Sequence, residues 1–201
     1  GAGSGKTRVL TYRIAHLISK GTDAFSILAL TFTNKAAREM KDRIAKVIGD
    51  GEARNVWMGT FHSVFARILR IESERINYPR NFTIYDTSDS RALIKDIVKG
   101  LGLDDKVYKA ASVQSRISNA KNNLIDAKGY ADNTDIMSED TQAGRPRIHE
   151  VYRAYESRCF RAQAMDFDDL LFKMNVLLRD FPDLLLKYQH KFQYILVDEY
   201  Q

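Results

Sequence analysis

Residues 1–7 read Gly-Ala-Gly-Ser-Gly-Lys-Thr, and residues 194–201 read Tyr-Ile-Leu-Val-Asp-Glu-Tyr-Gln. The first stretch has the composition of a phosphate-binding loop opening a helix. Glycines let backbone N–H groups approach phosphate oxygens, and the helix that follows aims its positive dipole end at them. The expected cradle is Gly1, Ala2, Gly3, Ser4, Gly5, Lys6 and Thr7. Lys6 can reach the β- and γ-phosphates, and the Thr7 hydroxyl can hold Mg²⁺. The second stretch is an apolar strand ending in two carboxylates. Asp198 suits the metal, and Glu199 suits polarisation of an attacking water. Lys6 and Glu199 are thus candidate catalytic residues, and Thr7 and Asp198 candidate metal ligands. Together the two ends imply a nucleoside triphosphatase core.

The full loop pattern wants one more residue before Gly1 and a buried strand before that. A chain that starts inside its phosphate loop, without an initiator Met, and stops at its second acidic motif is expected to be a piece of a longer protein.

Composition bounds the remaining possibilities. Hydrophobic residues make up 44% and charged residues 28%, with 3 Pro, the composition of a globular chain with nothing to suggest global disorder. No apolar run is long enough to span a bilayer. Cys159 is alone, so neither a disulfide framework nor a zinc thiolate cluster is expected. It falls on the apolar side of a helical pattern, as a small core residue in a chain suited to a reducing cytoplasm. The net charge of +5 is uneven: residues 1–85 hold 14 Lys and Arg against 7 Asp and Glu, whereas residues 166–201 hold 4 against 7. A basic surplus around the phosphate loop suits a polyanionic partner, although phosphate binding alone explains part of it.

Outward from the loop, Leu10, Ile14, Leu17 and Ile18 mark one face of a helix, with Gly21 as its stop. Ile27 to Phe32 reads as a buried strand. Asn34 is the expected cap of a helix carrying Ala37, Met40, Ile44 and Val47, ended by Gly49. Val56-Trp57-Met58 reads as a second strand, Phe61 to Leu69 as a helix, and Phe82 to Tyr85 as a further strand. This βαβα rhythm predicts a parallel sheet flanked by helices. From Asp86 to Gln163 only helical periods remain, centred on Leu93 and Ile97, on Val113, Ile117, Ala120 and Leu124, and on Ile148, Tyr152, Tyr155 and Cys159. The polar stretch from Ala127 to Arg147 is expected to be an exposed, mobile loop. The α/β pattern then resumes with Asp166 capping an amphipathic helix and Pro182 starting another. The expected organisation is an α/β core over 1–85 and 164–201, interrupted by an all-helical inserted subdomain over 86–163.

These residues resemble the UvrD/Rep/PcrA-like superfamily 1 DNA helicases along essentially the whole chain. GAGSGKTRVLTYRIAHLI resembles the family's first motif and its helix, and LALTFTNKAAREM the next. GTFHSVFARILR, MDFDDLL and YILVDEYQ follow in order, the last in the DExQ form. Five ordered matches are far more specific than a lone GSGKT. The family's upstream adenine-sensing glutamine and its motifs after DEYQ lie outside this sequence. The resemblance implies a RecA-like P-loop NTPase core using ATP and Mg²⁺. The implied activity is an ATP-dependent 3′–5′ helicase acting on single-stranded DNA and ss/ds junctions in repair or replication restart. It also implies that this piece alone is inactive, because hydrolysis in such motors needs arginines from a second domain.

Residue roles follow from the same resemblance. Phe32 would stack on a base, and Thr31, Thr33 and Asn34 would meet backbone phosphates. Thr60, His62 and Ser63 would continue the DNA track. Arg8 would lie near the nucleotide, and Gln201 would couple the γ-phosphate to the DNA-facing elements. Plainer readings stay open: Phe32 as the end of a buried strand, Asn34 as a simple cap, His62 as a structural histidine and Arg8 as a solvated surface residue. His62 has no metal-ligand spacing with His16, His149 or His190. Asp166, Asp168 and Asp169 read as helix capping and dipole complementation rather than a metal site. A P-loop phosphotransferase and an RNA helicase of the same superfamily are the alternatives. DEYQ, TFTNKAA and GTFHS argue against the first; the wording of the latter two favours DNA over RNA.

Overall fold

The computed structural model describes residues 2–198, with side chains from residue 5 onward. The chain divides into two compact units, Gly1–Ile68 with Leu177–Gln201, and Leu69–Val176.

The first unit is built on a parallel three-stranded sheet. It contains α1 (Ala2–Ser19), β1 (Ile27–Thr31), α2 (Asn34–Ile48), α3 (Asp50–Asn55), β2 (Trp57–Thr60) and the start of α4 (Phe61–Ile71). The strand order is β2-β1-β5, β5 being the last strand, Tyr194–Val197. Register sets Thr31 beside Thr60 and Leu30 beside Val197. All five β1 residues are buried, as expected of a central parallel strand read as one apolar run. Leu10 and Ile14 of α1 and Met40 and Ile44 of α2 pack with Ile27, Ala29 and Leu196 into one core cluster. Their helical spacing is what the sequence pattern anticipates.

Two local expectations are corrected here. The glycine-rich segment is part of α1 from Ala2 onward rather than an open loop. Once a helix is nucleated, each added residue gains a backbone hydrogen bond. A Cβ built on Gly5 meets nothing within 4 Å, so no neighbouring group forces another path. Gly1 lies outside the described residues. The cap of α2 is Thr33, whose Oγ1 accepts from Ala36 N at 3.1 Å, and Asn34 is the first helical residue.

The second unit is mostly helical: α5 (Thr87–Gly100), α6 (Ala110–Asn122), α7 (Ala127–Asp132), α8 (Thr134–Gln142), α9 (Ile148–Arg161) and most of α10 (Phe167–Asp180), with α11 (Pro182–Lys191) returning to the first unit. The strand β3 (Thr83–Tyr85) pairs in parallel with β4 (Ala164–Asp166), Tyr85 beside Asp166. The expected strand 82–85 therefore forms a separate two-stranded sheet instead of extending the first. The expected helical patches close one core around Ile94, Val113, Ile117, Tyr152, Tyr155 and Cys159. Leu124 leaves that pattern: α6 ends at Asn122, and Leu124 has φ 59° and is exposed.

The stretch 127–147, expected to be a mobile loop, carries α7 and α8 instead. Asp126 caps α7 by accepting from Gly129 N at 2.7 Å, and Asn133 caps α8 by accepting from Ile136 N at 3.0 Å. Tyr130 is buried and donates to the buried carboxylate of Asp140. Arg116 of α6 donates to Asp140 at 2.9 Å and to Glu139 at 2.8 Å. Long-range charge pairing holds a segment whose own sequence looks like loop.

Candidate functional site

On the first unit, the two ends of the chain meet. The last ladder bond of the sheet is Asp198 N donating to Leu30 O at 2.9 Å, which fixes the backbone of Asp198 at the carboxyl end of β5. Thr7, two residues beyond Gly5, is buried on α1, and its Oγ1 donates to Asp198 Oδ2 at 3.3 Å. Lys6 is half-buried and Arg8 exposed. Lys6, Val9 and Arg13 of α1 and Ile195, Val197 and Asp198 line one groove of about 440 Å³. A hydroxyl and a carboxylate oxygen so close form a hard-oxygen donor pair of the kind Mg²⁺ takes when phosphates and water complete its shell. Among the described residues no group of three or more His, Cys, Asp or Glu could hold a metal by itself. Glu199 and Gln201 lie outside the described residues, as do the side chains of Ala2 and Ser4.

The second group of candidates lies where β1 and β2 end. Thr31 and Thr60 pair across the sheet and are both buried. The hydroxyl of Thr60 is committed to capping α4, accepting from Ser63 N at 3.1 Å, while Ser63 Oγ donates to Thr60 O at 3.0 Å. Gly59 serves the same turn, since a Cβ there would lie 2.6 Å from Ser63 Oγ. Phe32, Thr33 and Asn34 are exposed, Phe32 to 52%. Its ring lies 5.0 Å from that of Phe61 at 46°, and Phe61 lies 6.1 Å from Phe65 at 77°. His62 is half-buried and Ser63 exposed beside this cluster on α4.

Two neighbours escape a motif-by-motif reading. Phe61 reads as one more apolar position on α4, and only the parallel register sets it beside Phe32. Lys35 is exposed in the first turn of α2, which has no acidic residue there. A cation near a helix N-terminus opposes the dipole, and that mismatch is a signal a sequence can carry.

In the second unit, Asp166 and Asp169 cap α10 reciprocally, Asp169 N donating to Asp166 Oδ1 at 2.8 Å and Asp166 N to Asp169 Oδ2 at 3.0 Å. Between them sits the buried ammonium of Lys121, 2.7 Å from Asp166 and 3.0 Å from Asp169. Tyr155 adds a hydrogen bond to Asp166 at 2.8 Å. Burial opposes the Lys121 charge, but Asp169 and Asp166 outweigh it and hold its pKa well above the usual lysine value. Burial likewise opposes the Asp166 charge, yet Lys121 outweighs it and holds the carboxyl below the usual carboxylate range. With an ammonium as its counter-ion, this aspartate cluster is a structural ion triad.

A parallel α/β unit that joins Thr7 of a GSGKT segment to Asp198 of a DEYQ segment has the groundwork of a nucleotide-binding domain. The sequence profile of the UvrD/REP helicase N-terminal domain matches residues 1–201, and the chain belongs to that family. It is similar to the proteins named ATP-dependent DNA helicase PcrA of Leuconostoc citreum (46% identical over 202 residues, covering 100% of this chain and 26% of that protein) and of Staphylococcus aureus strain Mu50 (46%, 100% and 27%). The PcrA protein of Staphylococcus epidermidis is 45% identical over the same span. The chain thus spans about a quarter of the length of the curated relatives it matches. No helix among the described residues is long and apolar enough to cross a membrane.

Proposed function

We propose that this chain is the first motor domain of an ATP-dependent DNA helicase, and that the parent protein couples ATP hydrolysis to movement along single-stranded DNA. The observation that carries this reading is the contact between Thr7 and Asp198, which gathers a phosphate-loop threonine and a DExQ aspartate at one sheet edge. In this reading residues 1–85 and 164–201 form a RecA-like core, and residues 86–163 are the helical subdomain inserted into it. Thr7 and Asp198 would hold Mg²⁺, which would screen the phosphate charge. Lys6 steadies the transferring phosphoryl group, and Glu199 orients the attacking water. The Phe32 ring stacks on a base, with Thr33, Asn34, His62 and Ser63 along the sugar-phosphate track. The buried Thr31 and Thr60 act by shaping that surface rather than by touching DNA. Movement runs 3′ to 5′ and unwinds duplex at ss/ds junctions, in cytoplasmic DNA repair or replication restart. The domain alone turns over little ATP, because the arginines that complete such sites come from a second domain.

The test uses the intact parent protein. Lys6→Ala is expected to cut kcat for ATP hydrolysis about a hundredfold or more, and Glu199→Gln to stop turnover while ATP still binds. Hydrolysis at the normal rate by Glu199→Gln would remove Glu199 from its role.

A further inference from the structure

Building on the reading of Phe32 as a base-stacking ring, we propose that Phe61 is its positioning residue: it holds the Phe32 ring outward, and DNA affinity depends on it although it stacks on no base itself. Phe32 is the residue after β1 and Phe61 the residue after β2, one step beyond the paired Thr31 and Thr60. Neighbouring positions in a parallel pair project to the same face of the sheet. The two rings accordingly meet at 5.0 Å and 46°, within the range of favourable tilted aromatic pairs.

The order of support runs one way. Phe61 opens α4, whose first turn is locked by the Thr60–Ser63 cap. Phe65, one turn on, meets Phe61 edge-on at 6.1 Å. Phe61 and Phe65 are half-buried, whereas Phe32 is 52% exposed at a strand-to-helix turn. A fixed ring thus backs an exposed one. With Phe61 truncated, the Phe32 side chain gains freedom in the free protein and must lose it again on binding, which lowers affinity without deleting a DNA contact.

A double-mutant cycle in the intact parent protein tests this, reading the Kd for single-stranded oligonucleotides and the quenching of a fluorescent base analogue at the stacking position. Phe61→Ala is expected to weaken binding about two- to tenfold and to reduce quenching, while Phe61→Tyr keeps both. In a Phe32→Ala background, Phe61→Ala is expected to change neither. Phe61→Leu serves if the alanine variant unfolds. An equal loss of affinity in both backgrounds would overturn the proposal, because Phe61 would then act independently of Phe32; unchanged binding by Phe61→Ala and Phe61→Leu would overturn it too. If Phe32→Ala alone leaves affinity intact, the stacking role of Phe32 fails first, and the inference falls with it.

Discussion

The hydroxyl of Thr7 donates to the carboxylate of Asp198 at 3.3 Å across 191 residues of sequence. Neither residue alone identifies a nucleotide site. Their pairing depends on the parallel alignment of β5 with β1, because Asp198 N is anchored on Leu30 O.

That pairing predicts how magnesium is held. In the parent protein, Thr7→Val is expected to raise the Mg²⁺ concentration needed for half-maximal hydrolysis about tenfold or more. Thr7→Ser, which keeps the hydroxyl, is expected to stay near the native value. A magnesium titration of ATP hydrolysis reads both; equal behaviour of the two variants would separate Thr7 from the metal.

Lys35, exposed in the first turn of α2 three residues after Phe32, is expected to meet a backbone phosphate on the proposed DNA track, so Phe32 and Lys35 should fail in different ways. Losing a stacking ring costs about 1–3 kcal/mol per base regardless of sequence and leaves the salt dependence of binding alone. Losing a phosphate contact lowers the slope of log K against log salt by about 1. Single-strand binding by Phe32→Ala and Lys35→Ala, measured at several salt concentrations, distinguishes the two effects. A changed slope for Phe32→Ala would argue against stacking.

The Lys121 triad sets stability and its pH dependence. Lys121→Met leaves two buried carboxylates without their counter-ion and is expected to cost about 3–5 kcal/mol, read by urea unfolding. The Lys121 pKa is raised on folding, so its contribution is complete at neutral pH and is lost only as pH rises through that elevated value. The Asp166 pKa is lowered, so its contribution is present above the unfolded value of about 3.9 and is lost as pH falls through the folded one. A stability plateau through neutral pH, falling at both extremes, is the expected profile. In Lys121→Met the acid limb should reverse, since protonating the carboxylates then relieves strain.

Cys159 offers a reporter of folding. Burial pushes its thiol pKa up to about 12, so almost none of it is thiolate near neutral pH. A disulfide reagent is expected to leave the native chain unmodified and to label it once in denaturant, with a labelling rate that follows opening of the second unit's core. Prompt labelling of the native chain would contradict the burial of this side chain.

How legible was this in the sequence? β1, the helix start at Pro182 and the strand before Asp198 follow from short-range pattern and are found, and so is the apolar face of α2 through Ala37, Met40 and Ile44, whereas Val47, expected on that face, is exposed. What escaped depends on partners far along the chain. The segment 127–147 looks like a loop because its order comes from Arg116 and the buried Asp140, not from an apolar period. Thr83–Tyr85 has strand composition, but only the fold decides that it pairs with Ala164–Asp166. Thr33 and Asn34 are both good caps, and the choice between them rests on one hydrogen bond. Within the candidate site, motif spacing brings out Thr7 and Asp198 and the family resemblance brings out Phe32, while the burial of Thr31 and Thr60 and the company of Phe61 follow from register.

Among the described residues β5 has a strand neighbour on one side only, and its Ile195 and Val197 are 57% and 44% exposed beside the exposed Val9 of α1. A row of open peptide groups flanked by greasy side chains is adhesive: any extended peptide can continue the ladder. Handled as these 201 residues, the protein should be soluble only when dilute and should self-associate as concentration rises, visible by sedimentation. A charge at the rim, Ile195→Lys, should keep it monomeric.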